Sequence, residues 1–192
     1  MKKIIVLSVF ALMLSCQTSV QKQQINNPVK ESWKTEVEQT LKLFGHRNWI
    51  VIADSAYPEQ SNPAIKTITI DDSQLEAVAY VSDLIEKTAH VDANIFIDKE
   101  MAFVQEKDAN GIESYIAGLN KVLEGKPTNT MLHEDIIREL DSSAKLFNVL
   151  IIKTDLAIPY TSVFFQLECG YWNAEAEKNM RQLLENATTN IP

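Results

Sequence analysis

Apolar positions along the chain fall into two alternating rhythms. Trp33, Val37, Leu41 and Phe44 recur at helical spacing, with Ser32 placed to cap the start and Gly45 placed for the left-handed turn that closes such a helix. An unbroken apolar run from Trp49 to Ala53 then reads as a buried strand, and Tyr57-Pro58 turns the chain away. Lys66 to Ile70 alternates polar and apolar, as a second strand does. Ser73 and Glu76 have the spacing of a capping box, and Leu75, Val78, Ala79, Ser82 and Ile85 mark the helix behind it. Ala93 to Ile97 is a third strand. Lys99 to Lys107 has no clean period and fits either a strand edge or a loop covering a pocket.

The second half repeats the alternation. Ile112, Tyr115, Ile116, Leu119, Val122 and Leu123 mark a helix ended by Gly125 and Pro127. Thr128 to Leu132 is a short strand. His133 opens the next helix, which carries Ile136, Ile137, Leu140 and Ala144 on one face. Val149 to Ile152 is a buried strand, Pro159-Tyr160 a turn, and Ser162 to Leu167 the last strand. Ala174 to Leu184 is a terminal helix with Met180, Leu183 and Leu184 apolar. Strands alternating with helices predict a layered α/β domain. No internal repeat and no Gly-rich phosphate loop interrupts the pattern.

The first 16 residues stand apart. Lys2 and Lys3 precede an apolar run from Ile4 to Leu14, which is too short for a permanent span, and Leu14-Ser15-Cys16 closes it. This resembles a bacterial lipoprotein signal in which Cys16 becomes the lipidated first residue, although Met13 sits where that pattern prefers Leu. An ordinary cleaved signal peptide uses the same features. Residues 17–31, rich in Gln, Asn and Lys, read as a flexible tether, and residues 32–192 as a single domain. The expected location is the bacterial cell envelope, on the periplasmic side or at the outer membrane, with the lipid on Cys16 as the membrane contact.

Composition narrows the partners. With 192 residues and 45% of them hydrophobic, the chain can build a full core. Its formal charge is −8, and loss of Lys2 and Lys3 with the leader takes it to −10. Such a balance argues against nucleic acid, which asks for a basic face. Lipidation of Cys16 would leave Cys169 as the only free thiol, so no intrachain disulfide is expected.

Candidate chemistry centres on Phe44 to Pro58. His46 and Asp54 flank the first strand, where polar groups commonly line a pocket. A structural role, with His46 closing a helix and Asp54 a turn, accounts for the same residues. His46, His90 and His133 are the only histidines, and no pair has the spacing of a metal motif. Cys169 reads as a core thiol rather than a nucleophile. In the last strand, Ser162, Phe164, Gln166 and Glu168 share one face. That face fits either the lining of a polar pocket or an edge strand turned to water.

Three stretches, in order, resemble the D-ribose pyranase and L-fucose mutarotase family. They are Leu43 to Asn48 with Ala53 to Pro58, then Leu132-His133-Glu134, then Ile151 to Asp155 with Pro159 to Phe165. The resemblance spans about Trp33 to Glu168. It implies a mixed central sheet flanked by helices, and a monosaccharide as the small-molecule partner. By residue, it implies His46 as catalytic acid/base, and Asp54, His133, Tyr160 and Ser162 at sugar-contacting positions. It implies no metal or organic cofactor and a ring-shaped homo-oligomer. The chain departs from the family pattern in having Ser162 in place of Asn, Ser55 in place of Ala, a longer helix after His133, and an extra C-terminal helix. The implied activity is interconversion of anomers or ring forms of a free sugar, and the alternative is a non-catalytic sugar-binding envelope lipoprotein on the same fold. Opening a hemiacetal asks one group to protonate the ring oxygen and another to take the anomeric proton, and an imidazole near neutrality can do either.

Overall fold

The structure is a computed structural model and describes residues 32–189. The leader at 1–16, its Cys16, and the tether at 17–31 lie outside the described residues. Five helices and six strands follow in the order α1 (Trp33–Leu43), β1 (Trp49–Ala53), β2 (Ile65–Thr69), α2 (Gln74–Glu86), β3 (Val91–Asp98), α3 (Ile112–Val122), β4 (Thr128–Met131), α4 (His133–Ser143), β5 (Val149–Lys153), β6 (Val163–Cys169) and α5 (Ala174–Thr189). Residues Lys99–Phe103, which had no clean period, form a 3₁₀ turn.

The strands make one sheet in the order β2-β5-β1-β6-β3-β4. β1 and β2 both run parallel to β5, and β3 runs parallel to β4. β6 runs antiparallel to both its neighbours, β1 and β3, so the sheet is mixed. The last strand is therefore central, and the reading of it as an edge strand is set aside. β1 reads as a continuous apolar run because both its faces are covered. Ile50 and Ile52 join Leu150, Ile152, Val163, Phe165 and Leu167 in a core under α1, α2 and α3. Trp49, Val51 and Ala53 join Val149, Ile151 and Phe164 in a second core under Ile136, Leu140 and Ala144 of α4. The result is three layers, with α4 on the face of the sheet opposite α1, α2 and α3. Each such large side chain contributes about 1.5–3 kcal/mol on burial. Trp49 also donates its indole N–H to Ser143 Oγ at 3.0 Å, so its one polar atom is satisfied.

Local signals account for most of the element ends. The Ser73–Glu76 capping box is present in full at the head of α2. Gly125 takes a left-handed conformation (φ +76°) just past α3. The end of α1 differs from expectation. Gly45 is not the left-handed residue there; Arg47 is, at φ +76°. Asn48 explains the change. Its side-chain oxygen accepts the Gly45 N–H at 2.9 Å, its amide donates to Asn148 O at 3.1 Å, and its own N–H donates to Gly45 O at 3.0 Å. These bonds close a β-turn over Gly45–Asn48, and its third residue, Arg47, carries the positive φ that marks a type II-like turn. His90, exposed as expected, places Nε2 3.1 Å from the carbonyls of Leu41 and Phe44 and so caps the end of α1. In α5, Met180 and Leu183 stay exposed.

Candidate functional site

The carboxyl ends of β1, β3, β4 and β5 open onto one pocket, the usual place for a ligand in a largely parallel sheet. Its volume is about 340 Å³, and Asp54, Tyr57, Pro58, His133, Pro159 and Tyr160 are among its lining. Each side chain arrives by a separate route. Asp54 follows β1 directly. Its Oδ1 accepts the Ala56 N–H at 2.9 Å, which shapes the turn, while Oδ2 accepts the Ser162 hydroxyl at 3.3 Å. The turn-capping role therefore coexists with a place in the pocket wall. Ser162 is itself buried, with 1% exposure, and directs its hydroxyl to Asp54.

Tyr160 sits at the tip of the turn before β6 in a left-handed conformation (φ +58°), which is costly for an aromatic residue and needs support. A buried network supplies it. The Tyr115 hydroxyl donates to Thr161 O at 2.7 Å. The Gln74 amide donates to both Thr161 O and the Tyr115 hydroxyl, and its Oε1 accepts the Thr154 hydroxyl at 2.9 Å. One helix start, one helix interior and two strand ends are thus tied to the residue beside Tyr160. Burial pushes the Tyr115 phenol well above its ordinary range, so it remains a donor. Tyr57 behaves alike: burial, with Asp141 next and Asp98 and Asp54 adding, pushes its phenol up to about 12 against the Gln60 hydrogen bond. The Lys153 ammonium donates to Tyr57 O at 2.7 Å and fixes the opposite wall.

His133 opens α4. Leu132, at the N-cap position, has no side chain to cap with, and the carboxylate of Glu100 accepts the His133 backbone N–H at 3.1 and 3.2 Å. The imidazole meets the Tyr160 ring edge-on, with centroids 5.7 Å apart and an interplanar angle of 82°. Its Nδ1 lies 3.1 Å from Asp98 Oδ1. Asp98 ends β3 with 1% exposure, and its Oδ2 has no hydrogen-bond partner. Burial pushes its carboxyl up to about 6; His133 pulls against the rise, and the carboxylates of Glu100 and Asp54 add to it. Sequence reasoning missed Asp98. A single acid at a strand end carries no motif, and its partner lies 35 residues further along. Among the described residues, no group of three or more His, Cys, Asp or Glu side chains is arranged to hold a metal ion.

His46 is not in this pocket. It occupies the second position of the Gly45–Asn48 turn, at the other end of β1, where its Nδ1 pairs with Glu168 Oε2 at 2.7 Å. The two face a separate cleft of about 570 Å³ that also includes Cys169, Trp172 and Glu177. Cys169 is half-buried beside this cleft rather than in the core. β1 spans five residues, so the two ends lie roughly 15 Å apart. The chain thus brings Asp54, His133, Tyr160 and Ser162 together and holds His46 apart from them. The polar face of β6 serves both ends, with Ser162 at the pocket and Glu168 at the cleft.

Fold and site together define a layered α/β domain with an acid-lined pocket at its strand ends. The chain belongs to the RbsD / FucU transport protein family, whose model matches residues 29–170. α5 lies beyond that match. No curated protein sequence matches the chain significantly. Among solved structures, Bacillus subtilis RbsD complexed with D-ribose is similar at 18% identity, over 70% of this chain and 92% of that one, with a TM-score of 0.49. FucU from Bifidobacterium longum is similar at 15% identity, over 70% and 94%, with a TM-score of 0.48. The fucose mutarotase of Streptococcus pneumoniae in complex with L-fucose is similar at 23% identity, over 68% and 89%, with a TM-score of 0.47.

Proposed function

We propose that the protein is a sugar mutarotase or pyranase, which interconverts anomers or ring forms of a free monosaccharide in the pocket of Asp54, His133 and Tyr160. The observation that carries this reading is the pocket of a family member: a carboxylate, an imidazole and a phenol converge on a cavity whose wall also includes Tyr57, Gln60, Ile137 and Pro159. Carboxylate and imidazole accept sugar hydroxyls, and the phenol donates or stacks. Positioned acid and base groups contribute about 10²–10⁴-fold, enough for a reaction that already proceeds in water.

In this reading His46 is the acid/base residue, and it works in a neighbouring copy's pocket. One chain holds His46 roughly a strand length from Asp54, so a ring-shaped homo-oligomer that sets one copy's His46 against the next copy's Tyr160 completes the site. α5 then forms part of the wall around His46, through Trp172 and Glu177. A lipid on Cys16 holds the assembly at the cell envelope. Radiolabelled palmitate incorporation that Cys16→Ser abolishes would support the anchor, and unlabelled wild type would remove it.

The deciding experiment is exchange NMR with ribose, fucose, galactose and glucose. Faster exchange between anomer or ring-form signals of one sugar establishes the activity and names the substrate. A second reading, a sugar binder without catalysis, is favoured by the separation of His46 from the pocket within one chain. Saturable binding with no faster exchange would select it, and no binding across the panel would reject both.

A further inference from the structure

Asp98 has no structural duty that accounts for its place. It stands at the N-cap position of the Lys99–Phe103 turn yet makes no capping hydrogen bond with its side chain. It is shut away from water with one oxygen on His133 and the other unpartnered. A buried carboxylate with an unsatisfied oxygen lowers stability, and folds retain such groups where they serve a site. Its surroundings add to the cost: Asp54 and Glu100 face it with like charge, and among the described residues no lysine or arginine pairs with it. The one compensating partner is the imidazole.

We propose that Asp98 is the positioning residue of the pocket: its carboxylate holds the Nδ1–H of His133, so that the bare Nε2 is presented to the bound sugar as a hydrogen-bond acceptor. A neutral imidazole has one donor and one acceptor nitrogen, and the partner of one nitrogen sets the character of the other. Nδ1 faces an oxygen that only accepts. Among the described residues Nε2 has no hydrogen-bond partner, and the ring lines the pocket nearly perpendicular to that of Tyr160. Glu100 fixes the backbone of the same residue, so main chain and ring of His133 are both held by acids from the end of β3 and the turn that follows. An Nε2 acceptor beside the Asp54 carboxylate makes a pocket that takes hydroxyl donors, which a sugar supplies. The link to sugar rests on the function proposed above; the tautomer does not.

The test is nitrogen-15 NMR of the imidazoles in the wild type, Asp98→Asn and Asp98→Ala, with His46→Gln and His90→Gln to assign the three histidines. Near pH 8 the wild type is expected to carry the His133 proton on Nδ1, and Asp98→Ala to move it to Nε2 or to a mixture. A wild-type proton on Nε2, or a tautomer unmoved by both substitutions, overturns the proposal. If Asp98→Ala does not fold, Asp98→Asn and the wild-type tautomer decide alone. On the sugar identified by exchange NMR, both substitutions are expected to lower kcat/KM by about 10–100-fold, the scale of one lost hydrogen bond to a charged group. A moved tautomer with no sugar processed by the wild type would leave the positioning intact and reject the mutarotase reading instead.

Discussion

His46 and Asp54 flank one strand but open onto different cavities: His46 pairs with Glu168 at 2.7 Å, whereas Asp54 accepts the Ser162 hydroxyl at 3.3 Å at the far end. Ser162 immediately precedes β6, and Glu168 lies next to its last residue. The antiparallel pair β1–β6 is thus a rigid bar with a polar couple at each end, and its apolar middle keeps the couples apart.

This separation gives a complementation prediction. His46→Ala and Asp54→Asn should each abolish accelerated sugar exchange, and His46→Ala should still bind sugar. Co-refolding the two variants should restore part of the activity, because some contacts then pair an intact His46 with an intact Asp54. Exchange NMR on the mixture reads this directly, and native mass spectrometry counts the copies. Activity absent from every mixture would show that one chain holds the whole site.

Asp98 predicts a pH slope in stability. Its carboxyl is raised to about 6 in the fold, against about 3.9 in the unfolded chain. Stability lent by the protonated acid is fully present below about pH 4 and is lost as pH rises through about 6, by up to about 3 kcal/mol. Asp98→Asn has no such proton to lose. Urea unfolding between pH 4 and pH 7 should show the wild-type midpoint falling relative to Asp98→Asn. Parallel curves would mean that Asp98 titrates as it does in the unfolded chain.

The network behind Tyr160 predicts a coupled loss. Gln74→Leu removes the donor to Thr161 O and the acceptor of the Thr154 hydroxyl, at about 2–3 kcal/mol. The left-handed Tyr160 turn then loosens, so KM for the sugar should rise more than kcat falls. Tyr115→Phe should act in the same direction by about 1–3 kcal/mol, because the donor to Thr161 O and the acceptor of the Gln74 amide are lost together. Thermal unfolding and steady-state exchange rates measure the two effects; a stability loss with KM unchanged would separate the network from the pocket.

Gly170 closes β6 where backbone crowds backbone. A Cβ there would meet Val91 O at 2.7 Å and Ala89 O at 2.8 Å, and neither carbonyl can rotate away. Gly170→Ala should cost about 1–3 kcal/mol. The strain falls beside the His46 cleft, so Trp172 fluorescence should change while the environment of Tyr160 does not. A variant as stable as the wild type would show that the β3–β6 junction yields.

Much of this molecule was legible in its residues. β1 was readable to the residue because an unbroken apolar run has few other uses, and the Ser73–Glu76 box fixed the head of α2. The quartet Asp54, His133, Tyr160 and Ser162 came from a family resemblance, and they meet because the strand ends that carry them share one edge of the sheet. What stayed hidden depends on contacts between distant segments. Asn48 reaches across to Asn148 and moves the left-handed turn from Gly45 to Arg47. Asp98 acquires meaning only from a histidine on another element. The polar face of β6 fits a pocket wall and a water-facing edge alike, and only pairing with both β1 and β3, set by distant segments, excludes the edge.

The direction of β6 settles where this fold can grow. Because that strand runs against its neighbours, the chain leaves the sheet beside His46 and not beside Tyr160. Whatever follows Cys169, as α5 does here, remodels the histidine end and leaves the same chain's Asp54 pocket untouched. A reporter or surface linker joined to the end of α5 would follow the same route. Within one chain the fold has a natural handle, set at the end of the sheet opposite Asp54 and Tyr160.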